Sequence, residues 1–386
     1  HITGSIKMNT IYLDHAATTP LDKAVLSAMR PYLSEEFGNA DSRYSLGRNA
    51  SLAVLSARDK ITRLICGNHG NLYFTSGGSE ANSWALKGVC AANFGKKMRI
   101  ILSAIEHPSL IRAAEDMAAF GFETELINPD SSGIVRPEFV EKALNRGGAA
   151  FVGVMYANNE TGVIQPVNPI YELCKTAGAF YFCDCVQAAG SLPLDCTFAD
   201  GISLSAHKFY GPKGVGALWL KRGAKISRLI SGGQQEGGLR GGTSNVAGIV
   251  GMAEALSLAC ADMGNTEERV HTLRDRFADE VTSKIVGARL VGDKVSRLPS
   301  NANILFPGCR GEEIMMALDM SGVCVSTGSA CSSGASKPSP VLLAMGLSEE
   351  DAAACVRFTF GRENTKEQAD FAAKAVINAV KTLRGD

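Results

Sequence analysis

The chain lacks an excess of either charge. Its 386 residues carry 39 Lys plus Arg against 39 Asp plus Glu. That balance excludes the basic field with which proteins hold nucleic acid or an anionic bilayer, so neither is expected as a direct partner. Long apolar runs are missing too. None approaches a membrane span, and no basic segment leads into an apolar one as a secretory signal would. A cytoplasmic location is therefore expected. Repeats, low-complexity tracts and long linkers are also absent. Paired Cys/His clusters of metal-binding spacing are lacking: the one close pair, Cys183 and Cys185, flanks Asp184 and reads as strand-end packing. No resident metal is expected. The eleven cysteines are odd in number and scattered, which suits a reducing compartment and mostly buried free thiols.

What is present is ordinary globular composition, 45% apolar and 20% charged. The length suggests two or three domains at about 150 residues each. A short strand is predicted over 11–19, running into a turn at Pro20, and a helix over 47–66, with Leu52, Leu55, Ile61, Leu64 and Ile65 on its apolar face. Strand-like runs follow at 72–75, 99–104, 123–127, 150–156, 179–184, 201–206 and 215–220, with helical patterns between them. This alternation predicts an α/β fold, a mainly parallel sheet covered by helices. From about 250 the pattern changes to one long helical stretch over 246–285, strands near 288–291, 302–306 and 322–326, a helix at 311–320, and a final helix with Phe371, Val376, Ile377, Val380 and Leu383 on one face. A large domain over 20–255 is expected, with a smaller α+β domain built from 8–19 and 256–386. Residues 1–7 read as an expression scar.

Several segments carry chemistry. The run Gly201-Ile-Ser-Leu-Ser205-Ala206-His207-Lys208 ends on a hydroxyl, an imidazole and an amine, followed by the breakers Gly211 and Pro212. The run Ala179-Phe-Tyr-Phe-Cys183-Asp184 ends on a carboxylate, with Gln187 just beyond. Neighbouring parallel strands would present both ends at one crevice, where such sheets bind ligands. An amine and a buried acid are what pyridoxal 5'-phosphate (PLP) needs, as Schiff-base lysine and as partner of the pyridinium nitrogen. Phe74-Thr-Ser-Gly-Gly78-Ser79-Glu-Ala-Asn82 runs from a strand through glycines into a helix, a phosphate cradle or a plain capped start. Ser205 and His207 can donate to phosphate oxygens. Strict alternation, however, would put them on the face opposite Lys208 unless the strand ends by 206. His107 precedes Pro108 at a helix start, where an imidazole could stack on a ring and move protons. Asn158 and Asn159 follow a strand and could reach cofactor or substrate. Arg357 could pair with a substrate carboxylate. Cys331 lies among Ser, Gly and Ala in Ser326-Thr-Gly-Ser-Ala-Cys331-Ser-Ser-Gly, and a nucleophilic thiol there suggests sulfur chemistry.

Together these segments resemble the NifS/IscS-type cysteine desulfurases, within the class V, fold type I PLP aminotransferases. The resemblance runs from Tyr12-Leu-Asp-His-Ala-Ala-Thr-Thr-Pro20 to Arg357-Phe-Thr-Phe-Gly-Arg362. It includes Thr75-Ser-Gly-Gly-Ser-Glu80, Asn158-Asn-Glu-Thr-Gly162, Asp184-Cys-Val-Gln187, Ser205-Ala-His-Lys-Phe-Tyr-Gly-Pro-Lys-Gly214, Leu239-Arg-Gly-Gly-Thr243 and Gly328-Ser-Ala-Cys331. It implies that Lys208 forms the Schiff base, that His107 stacks on the ring and acts in proton transfer, and that Asp184 pairs with the pyridine nitrogen. Gln187 and Asn159 would lie near the phenolic oxygen, and Gly78, Ser79, Ser205 and His207 would hold the phosphate. Thr243 would complete that site from the other subunit of a homodimer. Arg357 with Asn159 would bind the substrate carboxylate, and Cys331 would form a persulfide. The resemblance also leaves Cys331 open as a transient iron–sulfur ligand. Near the start the family reads Gly-Asn-Pro-Ser-Ser and then histidine, whereas this chain has Gly38-Asn39-Ala40-Asp41-Ser42-Arg43-Tyr44.

The implied activity converts L-cysteine to L-alanine and leaves sulfur on Cys331, for delivery to an iron–sulfur scaffold or a tRNA-thiolation protein. Rival readings are a selenocysteine lyase or related C–S lyase, a plain aminotransferase, and a PLP-binding scaffold that recruits assembly partners.

Overall fold

The computed structural model describes residues 10–65, 69–327 and 338–385. Its strands, in chain order, are β1 (Ile11–Tyr12), β2 (Gly70–Thr75), β3 (Arg99–Ser103), β4 (Glu123–Ile127), β5 (Ala149–Gly153), β6 (Phe180–Asp184), β7 (Gly201–Ser205), β8 (Gly216–Lys221), β9 (Arg289–Leu290), β10 (Asn301–Leu305), β11 (Val323–Cys324) and β12 (Cys355–Thr359). Seven of them form one sheet in the order β2-β8-β7-β6-β5-β3-β4. The neighbours from β7 to β4 are parallel, and β8 is antiparallel to both β7 and β2. The reversal at β8 follows from chain length: the short turn after β7 cannot make the crossover a parallel partner requires.

Both faces of this sheet are covered, as a parallel sheet demands, and the pleat sorts its side chains. Ile100, Leu102, Phe151, Phe182 and Leu218 pack with Trp84 and Leu86 of the helix Gly78–Asn93. Ile101, Val152, Tyr181, Cys183, Ile202 and Trp219 point the other way, toward Ile61 and Ile170. A separate apolar cluster joins Ile11 and Leu13 to Phe277, Ile304, Phe306, Phe358, Val376 and Val380. There β12, β10 and β9 form an antiparallel sheet, and β1 pairs parallel with β11. Leu305, Val341, Leu342 and Cys355 pack instead with the large sheet's cluster, so the C-terminal portion also braces that core.

Three expectations need correction. The stretch 246–285 is two helices, Val246–Ala261 and Met263–Lys284, bent by 72° at Asp262. The Asp262 carboxylate accepts from Thr266 Oγ1 at 2.7 Å and from Asn265 Nδ2 at 3.2 Å, tying the second helix's first turn to the bend. The helix Ser45–Ile65 buries Val54, Ala57 and Ile61 but leaves Leu52 and Leu55 63% and 55% exposed. In the last helix, Lys366–Arg384, Phe371 and Leu383 are likewise outside the buried face. Among the described residues, no single helix is long and apolar enough to cross a membrane.

Candidate active site

The carboxyl ends of β3, β5, β6 and β7 lie along one edge of the sheet, and the helix after β2 starts there too. A cavity of about 260 Å³ opens at this edge. Lys208, Asp184, His107, Gln187, Ser205, His207, Gly78, Ser79, Asn159 and Arg357 all line it. These residues are spread over most of the sequence; all but Arg357 end or follow a strand or start a helix at this edge, and Arg357 enters from β12 of the smaller sheet.

Lys208 reaches the cavity because β7 stops early. After Ser205 the chain enters a short 3₁₀ turn, Ala206–Lys208. Strand alternation no longer applies there, and Ser205, His207 and Lys208 share the cavity. The turn closes tightly: a Cβ on Gly211 would stand 2.8 Å from the Ala206 carbonyl oxygen. Lys208 Nζ donates to the carbonyls of Ala16 and Ala17, the latter at 2.8 Å. Gln187 Nε2 donates to Ala16 O at 3.0 Å. The segment after β1 thus forms one wall of the site.

At the other wall, the helix Gly78–Asn93 begins without a side-chain cap. Ser79 is its second residue rather than its cap. The N–H groups of the first turn and the positive end of the helix dipole are available to an anion. A Cβ on Gly78 would lie 2.7 Å from Val186 Cγ2, so only glycine lets the helix start approach the loop after β6. His207 Nδ1 lies 3.1 Å from Thr18 Oγ1. Burial, reinforced by Lys208 and Lys213, lowers the His207 pKa to about 4, so near neutrality the ring is neutral.

Asp184 ends β6. Its Oδ1 accepts from Val186 N at 2.9 Å and its Oδ2 from Asn82 Nδ2 at 2.7 Å. Asn82 is a site residue that the sequence motifs do not single out; the one signal for it is a polar residue on a helix whose neighbours Ala81, Trp84, Ala85 and Leu86 are buried. His107 caps the helix Pro108–Ala118 through Nδ1, which accepts from Ser109 N at 3.2 Å. Burial lowers the His107 pKa, and Asp184 opposes that shift.

Arg357, on β12, is almost fully buried. Its Nη1 donates to Asn159 O at 3.0 Å and its Nη2 to Asp14 Oδ1 at 2.7 Å, while Nε is buried without a partner. One edge of a guanidinium is therefore held in place with donors to spare. Backbone bonds join Arg357 to Ser326. Ser339 Oγ donates to the buried Glu160 carboxylate at 2.5 Å, beside Asn159.

One expected residue among those described is not in this cavity. Thr243 is exposed at the end of a glycine-dense loop over residues 231–243 and does not line the site within one chain. That loop is held by Arg240 to Glu80 at 2.8 Å and by Glu236 to Arg58 at 2.7 Å. Cys331 lies outside the described residues.

Glu106 is a second residue that the motifs do not reveal, since in sequence it is only a neighbour of His107. Its Oε1 accepts from Ser103 Oγ and, at 2.7 Å, from Met155 N, while Oε2 is buried without a partner. Burial pushes its pKa from 4.5 up to about 8. The folded protein therefore holds this proton where the unfolded chain has released it. The contribution is complete below about pH 4.5 and is lost as pH rises toward about 8. Glu106→Gln is expected to flatten the fall of the thermal midpoint across that window. Parallel slopes for wild type and variant would contradict it.

The donor set sorts by charge. Ser79, Ser205, His207 and the N–H groups of the helix start offer donors, while the first-turn carboxylate of Glu80 is taken up by Arg240 and Ser76 N and does not line the cavity; Asp184 offers an acceptor and Lys208 an amine. This set, with the close approach that Gly78 allows, fits PLP: an anionic phosphate, a protonated ring nitrogen and an aldehyde.

Comparison with known proteins agrees with the site. Residues 11–371 match the model of the aminotransferase class-V family, and the chain belongs to that family. A curated relative named cysteine desulfurase IscS, from Dictyoglomus turgidum, is 43% identical over 376 residues, covering 97% of this chain and 95% of the relative. A solved NifS-like protein superimposes with a TM-score of 0.90 at 32% identity, over 97% of this chain and 100% of that one. A structure titled SspA in complex with cysteine gives a TM-score of 0.81 at 29% identity, over 92% and 100%. Within the class-V family the chain is of the NifS/IscS cysteine desulfurase type.

Proposed function

We propose that this protein is a PLP-dependent cysteine desulfurase that converts L-cysteine to L-alanine and takes the sulfur on Cys331 as a persulfide. The observation that carries the reading is the single cavity in which Lys208, Asp184, His107 and Arg357 meet. The near full-length likeness to a relative named cysteine desulfurase, and a structural neighbour solved with cysteine, support the substrate.

Lys208 is the amine that would hold the cofactor. Gly78, Ser79, Ser205 and His207 would bind its phosphate, Asp184 its ring nitrogen, and Gln187 and Asn159 the region of its phenolic oxygen. Bound there, PLP would supply an electron sink for loss of the substrate Cα proton and for cleavage of the C–S bond. Arg357 holds the substrate carboxylate, aided by Asn159. Lys208 and His107 manage protons beside it. The Cys331 thiolate attacks the substrate sulfur, and the resulting persulfide passes its outer sulfur to an acceptor by thiol exchange. Such an acceptor is an iron–sulfur scaffold or a tRNA-thiolation protein.

Arg357 gives the reading an early test. Arg357→Lys keeps the charge but loses the planar fork. It is expected to raise KM for L-cysteine roughly 10- to 100-fold with a smaller change in kcat. An unchanged KM would remove Arg357 from the substrate site.

We also read the protein as a homodimer. Leu26, Leu33, Phe37, Leu52 and Leu55 are all at least half exposed, on or beside the helices Lys23–Met29, Pro31–Ser34 and Ser45–Ile65. Apolar surface of that extent is commonly covered by a partner. Thr243, exposed here, would then serve the other subunit's phosphate site. The domain division at 20–255, against 8–19 with 256–386, is supported by the separate cluster containing Ile11, Leu13 and Phe358. A cytoplasmic setting is supported by eight free cysteines among the described residues, against one, Cys196, that is disulfide-bonded.

A further inference from the structure

Asn82 and Ser109 join two groups that the proposed chemistry uses separately. Asn82 is fully buried, and its Nδ2 lies 2.7 Å from Asp184 Oδ2 and 2.9 Å from Ser109 Oγ. Ser109 Oγ lies 2.8 Å from His107 Nδ1. The direction of every bond in this series follows from its ends. A carboxylate only accepts, so the Asn82 atom facing Asp184 must be the amide NH₂; the flipped amide would set oxygen against oxygen. The second hydrogen of that NH₂ goes to Ser109 Oγ, which therefore accepts from Asn82. The Ser109 hydroxyl proton is left to donate, and the acceptor beside it is His107 Nδ1. The Ser109 backbone N–H donates to the same nitrogen at 3.2 Å. Two donors meet at Nδ1, so Nδ1 carries no proton, and the neutral ring bears its proton on Nε2.

We infer that Asn82 and Ser109 are positioning residues that hold His107 as its Nε2–H tautomer, so that the ring enters the reaction as a hydrogen-bond donor while the substrate proton is taken by Lys208. A ring nitrogen that already bears a proton cannot accept another. The nitrogen that could accept one is occupied by Ser109. Between Ser109 and Asp184 the series of bonds passes through the Asn82 amide, which neither gives nor takes protons near neutrality, so it orients the ring without relaying protons to the carboxylate. Protonating Nδ1 would set a third hydrogen against the two donors of Ser109. Asp184, at the end of β6, is the charged group that favours the imidazolium; Lys208, after β7, and burial oppose it. The sorting of roles rests on the proposed reading that both groups serve one substrate, but the tautomer does not.

The test is nitrogen-15 NMR of histidine-labelled holoenzyme, with signals assigned by His107→Gln. Through neutral pH, His107 should show an unprotonated Nδ1 and a protonated Nε2. A protonated Nδ1, or an imidazolium at neutral pH, overturns the inference. The second arm is kinetic. Ser109→Ala removes one of the two donors, so the His107 titration should move to higher pH and kcat fall roughly two- to tenfold, the worth of one hydrogen bond. Ser109→Thr, which restores a hydroxyl, should recover both. A loss of activity in Ser109→Ala with an unmoved titration, or no recovery in Ser109→Thr, would show a merely structural role. If the tautomer is as inferred but no alanine is formed from cysteine, the desulfurase reading fails and the positioning role stands.

Discussion

Lys208→Ala lowers alanine formation from L-cysteine by roughly 10²- to 10⁴-fold, the range for losing a positioned acid–base group, with the added loss of the covalent hold on the cofactor. The cause lies in β7. Its five residues are all buried, and the turn that ends it brings the amine into a cavity already containing a carboxylate and an imidazole. The amine donates to the carbonyls of Ala16 and Ala17. Those contacts aim it at the wall opposite the helix start. Borohydride treatment of the wild-type holoenzyme should fix the cofactor to the peptide containing residue 208, and the variant should show no such adduct. An unchanged rate in the variant, or fixation at another lysine, would contradict the role assigned to Lys208.

Cys331→Ala is expected to have a comparably large effect by a different route. The variant should bind PLP with the wild-type absorbance band and still respond to added cysteine, since none of the described groups in the cavity is changed. Sulfur transfer to an acceptor should fall by roughly 10²-fold or more, because the nucleophilic thiol is lost. Three of the described cysteines are poorly suited to that role. Cys90, Cys174 and Cys355 are buried and their pKa values pushed up to about 12, which suppresses the thiolate. The same variant separates the rivals. A selenocysteine lyase would still turn over selenocysteine, since selenide leaves without a thiol's help. A plain aminotransferase would leave its cofactor in the amine form and be indifferent to Cys331.

Much of this site is legible in the sequence because its residues sit at punctuation marks: Asp184 and Ser205 end apolar runs, Gly78 opens a helix, and His107 precedes a proline. Such positions are fixed by local chain chemistry, and an open parallel sheet collects them at one edge. What the sequence hides depends on three-dimensional partners. Asn82 and Glu106 lie within or beside motifs, but their importance comes from Asp184, Ser109 and Met155, which are distant in sequence. The faces of helices are harder to read than their existence. Leu52 and Leu55 belong to a helical apolar pattern yet point away from the core, since periodicity shows that an apolar face exists and not what it packs against. The bend at Asp262 leaves only a local trace, an aspartate followed by Asn265 and Thr266, which reads equally well as one polar turn of a continuous helix.

The most direct test of the central claim uses the unmodified protein. Wild-type holoenzyme is given L-cysteine without reductant, released alanine is measured, and the peptide containing Cys331 is weighed by mass spectrometry after alkylation. The account predicts one alanine for each sulfur atom gained, with that sulfur on Cys331, and further alanine once a thiol acceptor is supplied. Alanine formed with no sulfur on Cys331, or bound PLP with no alanine at all, would contradict it.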